Sequence, residues 1–187
     1  MTYSDVSKEL TGICERFFKE KAALFEKALA AIEGGLKSGH KILVFGNGGS
    51  AAEAQHFAAE LVNRFLRTRK PLRALALTTD TSTLTSIGND SSFDSVFSRQ
   101  IEALGDEGDI ALALSTSGTS PNIIEALKMA RKRNLLVVSM TGEGGGKLGP
   151  FSNYLLDVSS RSTPRIQEVH LLLLHLMAQL LEERLAG

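Results

Sequence analysis

His56 and Glu60 stand four residues apart in the alanine-rich stretch from Ser50 to Leu61. On a helix that spacing puts both side chains on one face. An imidazole beside a carboxylate can move protons, and both groups suit zinc. Towards the other end of the chain come Gln167, Glu168, His170 and His175. Gln167 and His170 share a helical face. Gln167 and His175 lie two turns apart, roughly 12 Å along a helix axis, so only long side chains leaning together could share a ligand. Spacing does not choose between His170 and His175. A core histidine and a surface glutamate remain the plain alternative for these residues.

Two loops add a second kind of chemistry. Ile42 to Phe45 is a short apolar run that ends in Gly46-Asn47-Gly48-Gly49-Ser50, directly before the stretch that carries His56. A strand, a glycine loop and a helix start make an anion site, because free N–H groups and the helix dipole point into the loop. The loop formally fits a dinucleotide fingerprint. That fingerprint expects an acidic residue about twenty positions on, and the first acid after the next apolar run is Asp80. No Gly-Lys-Ser/Thr follows, so it is not a P-loop. The second loop, Ser115-Thr116-Ser117-Gly118-Thr119-Ser120, offers five hydroxyls and no Lys or Arg in front of Pro121. Hydroxyls and N–H groups at a helix N-terminus hold a phosphate while leaving it free to exchange. Two such loops suit a small phosphorylated molecule better than a dinucleotide.

The elements that must position these groups read as follows. Ser4 to Lys37 is one long helix or two joined ones, with Val6, Leu10, Ile13, Phe17, Leu24, Ala28, Ile32 and Leu36 mostly three or four apart. It packs on another subunit or lies across its own sheet. Five apolar runs read as strands: Ile42 to Phe45, Ala74 to Leu77, Asp109 to Leu114, Leu135 to Met140 and Tyr154 to Val158. Arg64 to Arg73 and Thr78 to Asp90 read as polar connections, the latter ending in Gly88-Asn89-Asp90. Helices are expected over Phe93 to Leu104, from Pro121 to about Arg133, and from Pro164 onward, with Ser120 as the cap before Pro121. Alternating strands and helices imply a mostly parallel α/β sheet covered on both faces. Ligands then bind beyond the carboxyl ends of the strands, which gathers the loops on one edge.

The chain has 187 residues, the size of one domain with a real core. Its 21 basic and 21 acidic residues balance, and no basic stripe favours a nucleic-acid partner. Cys14 is the one cysteine, so no intrachain disulfide forms, as in a reducing compartment. The start lacks the pattern of a signal peptide, and no apolar run is long enough for a bilayer. The expectation is a cytoplasmic protein without a membrane partner.

Four separated motifs, GNGGSAAEAQHF, TTDTSTLTSIGND, STSGTSPN and RIQEVHLLLLH, occur in an order that resembles the sugar isomerase (SIS) family, in particular its phosphoheptose isomerases. The resemblance covers nearly the whole chain. It implies one SIS domain over residues 1–187, with a helical segment at 1–38 and an α/β core at 39–187. The implied fold is flavodoxin-like and doubly wound, with five strands. It also implies a homotetramer with one zinc ion per subunit at a site between subunits. The implied activity converts D-sedoheptulose 7-phosphate to D-glycero-D-manno-heptose 7-phosphate, the first step towards ADP-heptose for bacterial surface glycans.

Matched motif by motif, the resemblance makes Glu60 and His175 the acid/base pair. The metal ligands become His56, Glu60, Gln167 and His175, which takes His175 over His170. Substrate contacts become Asn47, Gly48, Gly49, Ser50, Asn89, Asp90, Ser115, Thr116, Ser117 and Ser120, with Glu60 and Gln167 again. Arg165 receives no role, and Pro164 stands where some members have an acidic residue. Some SIS proteins are non-catalytic tetrameric scaffolds, one of which binds the bacterial replication initiator; that is the alternative expectation.

Overall fold

The computed structural model describes residues 2–185. One parallel sheet of five strands runs through it: β1 (Ile42–Gly46), β2 (Ala74–Ala76), β3 (Ile110–Ser115), β4 (Leu136–Thr141) and β5 (Tyr154–Asp157), in the order β2-β1-β3-β4-β5. Every adjacent pair is parallel. β1 and β3 are fully buried, which is why their sequences are unbroken apolar runs. The order reverses between β1 and β3, and the two loops of interest leave these two neighbouring strands.

Helices cover both faces. On one lie α1 (Tyr3–Lys37), α2 (Gly49–Val62) and α6 (Thr163–Leu185); on the other lie α4 (Ser98–Leu104) and α5 (Pro121–Lys132). α1 is a single helix, opened by a capping box in which Thr2 and Asp5 exchange hydrogen bonds. Of the two placements open from sequence, it takes the one across its own sheet. Ile13, Phe17, Phe25, Ala28, Leu29 and Ile32 are buried, mainly against α6 and β5.

Two elements differ from the sequence reading. The Thr- and Ser-rich stretch is not a loop but helix α3 (Thr81–Asp90), capped by Asp80, which accepts from the Thr83 N–H. It has no buried residue, so it carried no apolar periodicity to betray it. Phe93 to Leu104 is not continuous either. A short 3-10 turn at Phe93–Ser95 precedes α4, and Phe93 and Leu104 remain exposed while Val96, Phe97 and Ile101 are buried. Among the described residues, no helix is long and apolar enough to cross a membrane.

Candidate functional site

Beyond the ends of β1 and β3 lies a cavity of about 270 Å³ lined by Asn47, Gly48, Gly49, Ser50, Leu114, Ser115, Thr116, Ser117, Ser120, Thr163 and Gln167. Its walls come from the two loops and the first turns of α2 and α6. Gly48, just before α2, has φ 56 and ψ −120, a conformation that L side chains rarely adopt. Gly49 is required for a different reason. A Cβ there would run into the amide of Gln167, so the glycine lets α6 close over the loop.

The loops are joined behind the cavity. The Asn47 amide donates to Asn122 Oδ1 at 2.9 Å, and the Asn122 amide donates back at 2.8 Å. In the second loop, Gly118 has φ +63 and packs on the Gly145 backbone, and its N–H donates to the Ser115 hydroxyl. Ser120 precedes α5, but its hydroxyl makes no capping bond, so it stays available to a ligand. Among the described lining residues there is no Lys or Arg. An anion here meets N–H groups, hydroxyls and helix N-termini.

Glu53 stands one turn behind Ser50 and is 9% exposed. Burial pushes its carboxyl up to about 7, against the pull of a hydrogen bond from the Ser50 side chain, and Oε2 has no partner. Glu53 is therefore largely neutral below neutrality, which suits a group placed behind an anion site.

Further along α2 and α6 lies a cluster of titratable side chains. His56 Nε2 is 2.8 Å from His175 Nε2 and 3.5 Å from Glu60 Oε1. The Phe65 ring stacks on His175, with centroids 5.5 Å apart and planes at 23°. His170 takes no part. It is fully buried, bonded through Nε2 to the Thr141 carbonyl, and burial holds it neutral with a pKa lowered to about 4. The geometry thus separates two histidines that spacing could not.

Two imidazole nitrogens face each other here with a carboxylate oxygen beside them, a donor set that fits zinc. The trio is drawn in tightly. Tetrahedral zinc with bonds of about 2.0–2.1 Å holds two nitrogens about 3.3 Å apart, wider than this pair. Among the described residues no group of three His, Cys, Asp or Glu is placed to hold a metal ion as it stands. Gln167 lies apart from the trio, in the anion cavity over Gly49.

Asn89 and Asp90 end α3, where the Asn89 amide donates to Asp90, and neither lines the anion cavity. Arg165 pairs with Glu168 at 2.8 Å. A larger cavity of about 440 Å³ opens against β2, α3 and α4. Leu75, Ile87, Ala103 and Leu104 are among its walls, and it holds none of the candidate residues, so the chemistry lies elsewhere.

A family model described as SIS domain matches residues 6–142. The chain is 49% identical over 185 residues to the phosphoheptose isomerase of Geobacter metallireducens, covering 99% of this chain and 96% of that one. It is 52% identical over 166 residues to that of Nitratidesulfovibrio vulgaris strain Miyazaki F, covering 89% and 80%. This chain belongs to the phosphoheptose isomerase branch of the SIS family. The solved phosphoheptose isomerase GmhA from Neisseria gonorrhoeae superposes with a TM-score of 0.90 at 43% identity, over 96% of each chain.

Sequence reasoning about this SIS domain missed several residues at the site. Thr163 and Leu114 line the cavity without any motif of their own. Asn122 was visible as the last residue of STSGTSPN, but its pairing with Asn47 was not. Phe65 lies in a stretch that reads as a polar loop, and nothing in the sequence brings it to His175.

Proposed function

We propose that this chain is an aldose–ketose isomerase converting D-sedoheptulose 7-phosphate to D-glycero-D-manno-heptose 7-phosphate, the first step towards ADP-heptose for bacterial surface glycans. The observation that carries the reading is one helix, α2, that begins in an uncharged phosphate cradle and continues to a Glu–His pair facing His175. In the open-chain ketose, Glu60 takes a proton from C1 as His175 gives one to the C2 carbonyl oxygen, leaving an enediol. Glu60 then returns its proton to C2. The C1 hydroxyl gives its proton back to His175, and C1 becomes the aldehyde. The hydroxyl loops hold the phosphate and so fix which carbons face the pair.

The proposal includes one zinc ion per subunit, with His56, Glu60, His175 and Gln167 as its protein ligands. The ion would supply positive charge to steady the developing enediolate. Gln167 and His175 are two turns apart on α6, about 12 Å along the axis, and Gln167 packs on Gly49. We place this ligand set between copies of the chain in a cytoplasmic homotetramer, where the cavity and Gln167 of one copy would meet His56, Glu60 and His175 of another.

The test is turnover of sedoheptulose 7-phosphate, assayed as supplied, after chelation and after zinc is returned. Loss on chelation with recovery on zinc supports both parts of the proposal. Turnover indifferent to chelation removes the metal. No turnover from folded, zinc-supplied protein overturns the enzyme reading and leaves the scaffold alternative.

A further inference from the structure

Arg69 and Glu182 form an ion pair that the reaction above does not use. Nε lies 3.3 Å from Oε1, and only 2% and 1% of the two side chains are exposed. Burying two charges is costly, so such a pair is a poor source of stability by itself. What it holds together is specific. The Glu182 carboxylate accepts three consecutive backbone N–H groups, from Phe65 at 3.0 Å and from Leu66 and Arg67 at 2.8 Å. Burial works against a charge on Glu182, but these N–H groups and Arg69 outweigh it and keep the carboxyl below its usual range.

Arg69 reaches in the other direction. Its guanidinium donates to the carbonyls of Glu60 at 2.8 Å and Leu61 at 2.7 Å, in the last turn of α2, where helix carbonyls lack partners of their own. Glu182 lies seven residues beyond His175, hence on the same face of α6. The pair therefore ties the end of α2, which carries Glu60, to the face of α6 that carries His175. The loop between them is pinned so that Phe65 lies on the His175 ring.

We propose that Arg69 and Glu182 are positioning residues that fix Glu60 and His175 relative to one another, with Phe65 as the contact that sets the His175 ring. This rests on the isomerase reading above. No substrate contact is assigned to any of the three.

The test uses the full-length protein and three variants: Glu182→Gln, Phe65→Leu and Phe65→Tyr. Circular dichroism first establishes that each is folded at the assay temperature. Kinetics on sedoheptulose 7-phosphate then separate kcat from KM. Histidine ring protons are followed by NMR on protein labelled with 13C-histidine, where a stacked ring displaces those of His175. The expected result is a loss in kcat of about tenfold or more in Glu182→Gln and Phe65→Leu, with KM within about twofold, as for misplaced reacting groups. Phe65→Tyr keeps the ring and keeps kcat. The His175 displacement is lost in Phe65→Leu and also in Glu182→Gln, two turns away.

Full kcat in Phe65→Leu overturns the proposal. So does a folded Glu182→Gln whose His175 signals stay at their wild-type positions. Should Glu182→Gln fail to fold, Phe65→Leu decides alone by its kcat. Should the wild type not isomerise the sugar, that failure belongs to the enzyme reading, and the NMR comparison still judges the clamp.

Discussion

Asn47 and Asn122 exchange two amide hydrogen bonds, 2.9 and 2.8 Å long, and so join the loop after β1 to the first turn of α5. Asn122 is 2% exposed, while Asn47 is half-buried and lines the cavity. The two loops form one cavity wall through this pair.

Asn122→Ala is expected to cost about 1 kcal/mol of stability, the usual net worth of a hydrogen bond, because water in the cavity can reach the Asn47 amide it leaves behind. KM for the sugar phosphate should rise several-fold, with a smaller change in kcat, because the cradle and not the acid/base pair is disturbed. Steady-state kinetics and a melting curve check both. An unchanged KM would detach the pair from ligand binding.

Glu60→Gln keeps size and hydrogen bonding but cannot take a proton. Turnover should fall by about 10²–10⁴-fold, while the substrate still raises the melting temperature. Full activity in this variant would overturn the role of Glu60 as base.

Glycines at the site should respond unequally. Gly49→Ala pushes on the end of the flexible Gln167 side chain, so stability should hold while kcat/KM falls. Gly118→Ala meets the Gly145 carbonyl oxygen at 2.5 Å from a φ of +63, so the fold itself should suffer. Melting temperatures and kcat/KM of the two variants give the contrast. Equal loss of stability in both would contradict it.

Two buried groups pull stability in opposite directions with pH. Glu53 has a pKa raised from 4.5 to about 7. In that window the folded chain keeps a proton the unfolded chain has released, so this contribution is full at low pH and is lost as pH rises. His170 has a pKa lowered from 6.5 to about 4. Its contribution is full above that window and is lost as pH falls through it. Glu53→Gln should match the wild type near pH 4.5 and melt a few degrees higher at pH 8. A melting difference that does not change with pH would refute this account of Glu53.

If the working site takes Gln167 and the His56–Glu60–His175 trio from different copies, mixed assemblies will show it. Glu60→Gln subunits refolded together with Gln167→Ala subunits should recover part of the activity that each lacks alone. Absence of recovery, in mixtures shown by mass to contain both chains, would place the complete site within one subunit.

Much of the site was legible because its signals are local. Gly48 and Gly49 beside an apolar run, and five hydroxyls before Pro121, mark two candidate anion loops, and the fold brings both to one cavity. The five strands were legible for the same reason, as short apolar runs ending in turns. α3 was not, since threonines and serines with no buried face leave no period to read. The histidines show the limit most clearly. His170 and His175 are alike in sequence, and burial against the Thr141 carbonyl separates them. Arg69 and Glu182 are only two charges in a long chain until the fold brings them together.

The placement of α1 also bears on how the protein is made. Its apolar stripe packs chiefly on β5 and α6, the last strand and the last helix of the chain. A ribosome adding 5–20 residues each second needs roughly ten seconds to travel from the end of α1 to the start of α6. Throughout that interval the stripe lacks α6, its main cover. The packing of α1 is thus complete only once a helix that follows it at a long distance along the chain has been made.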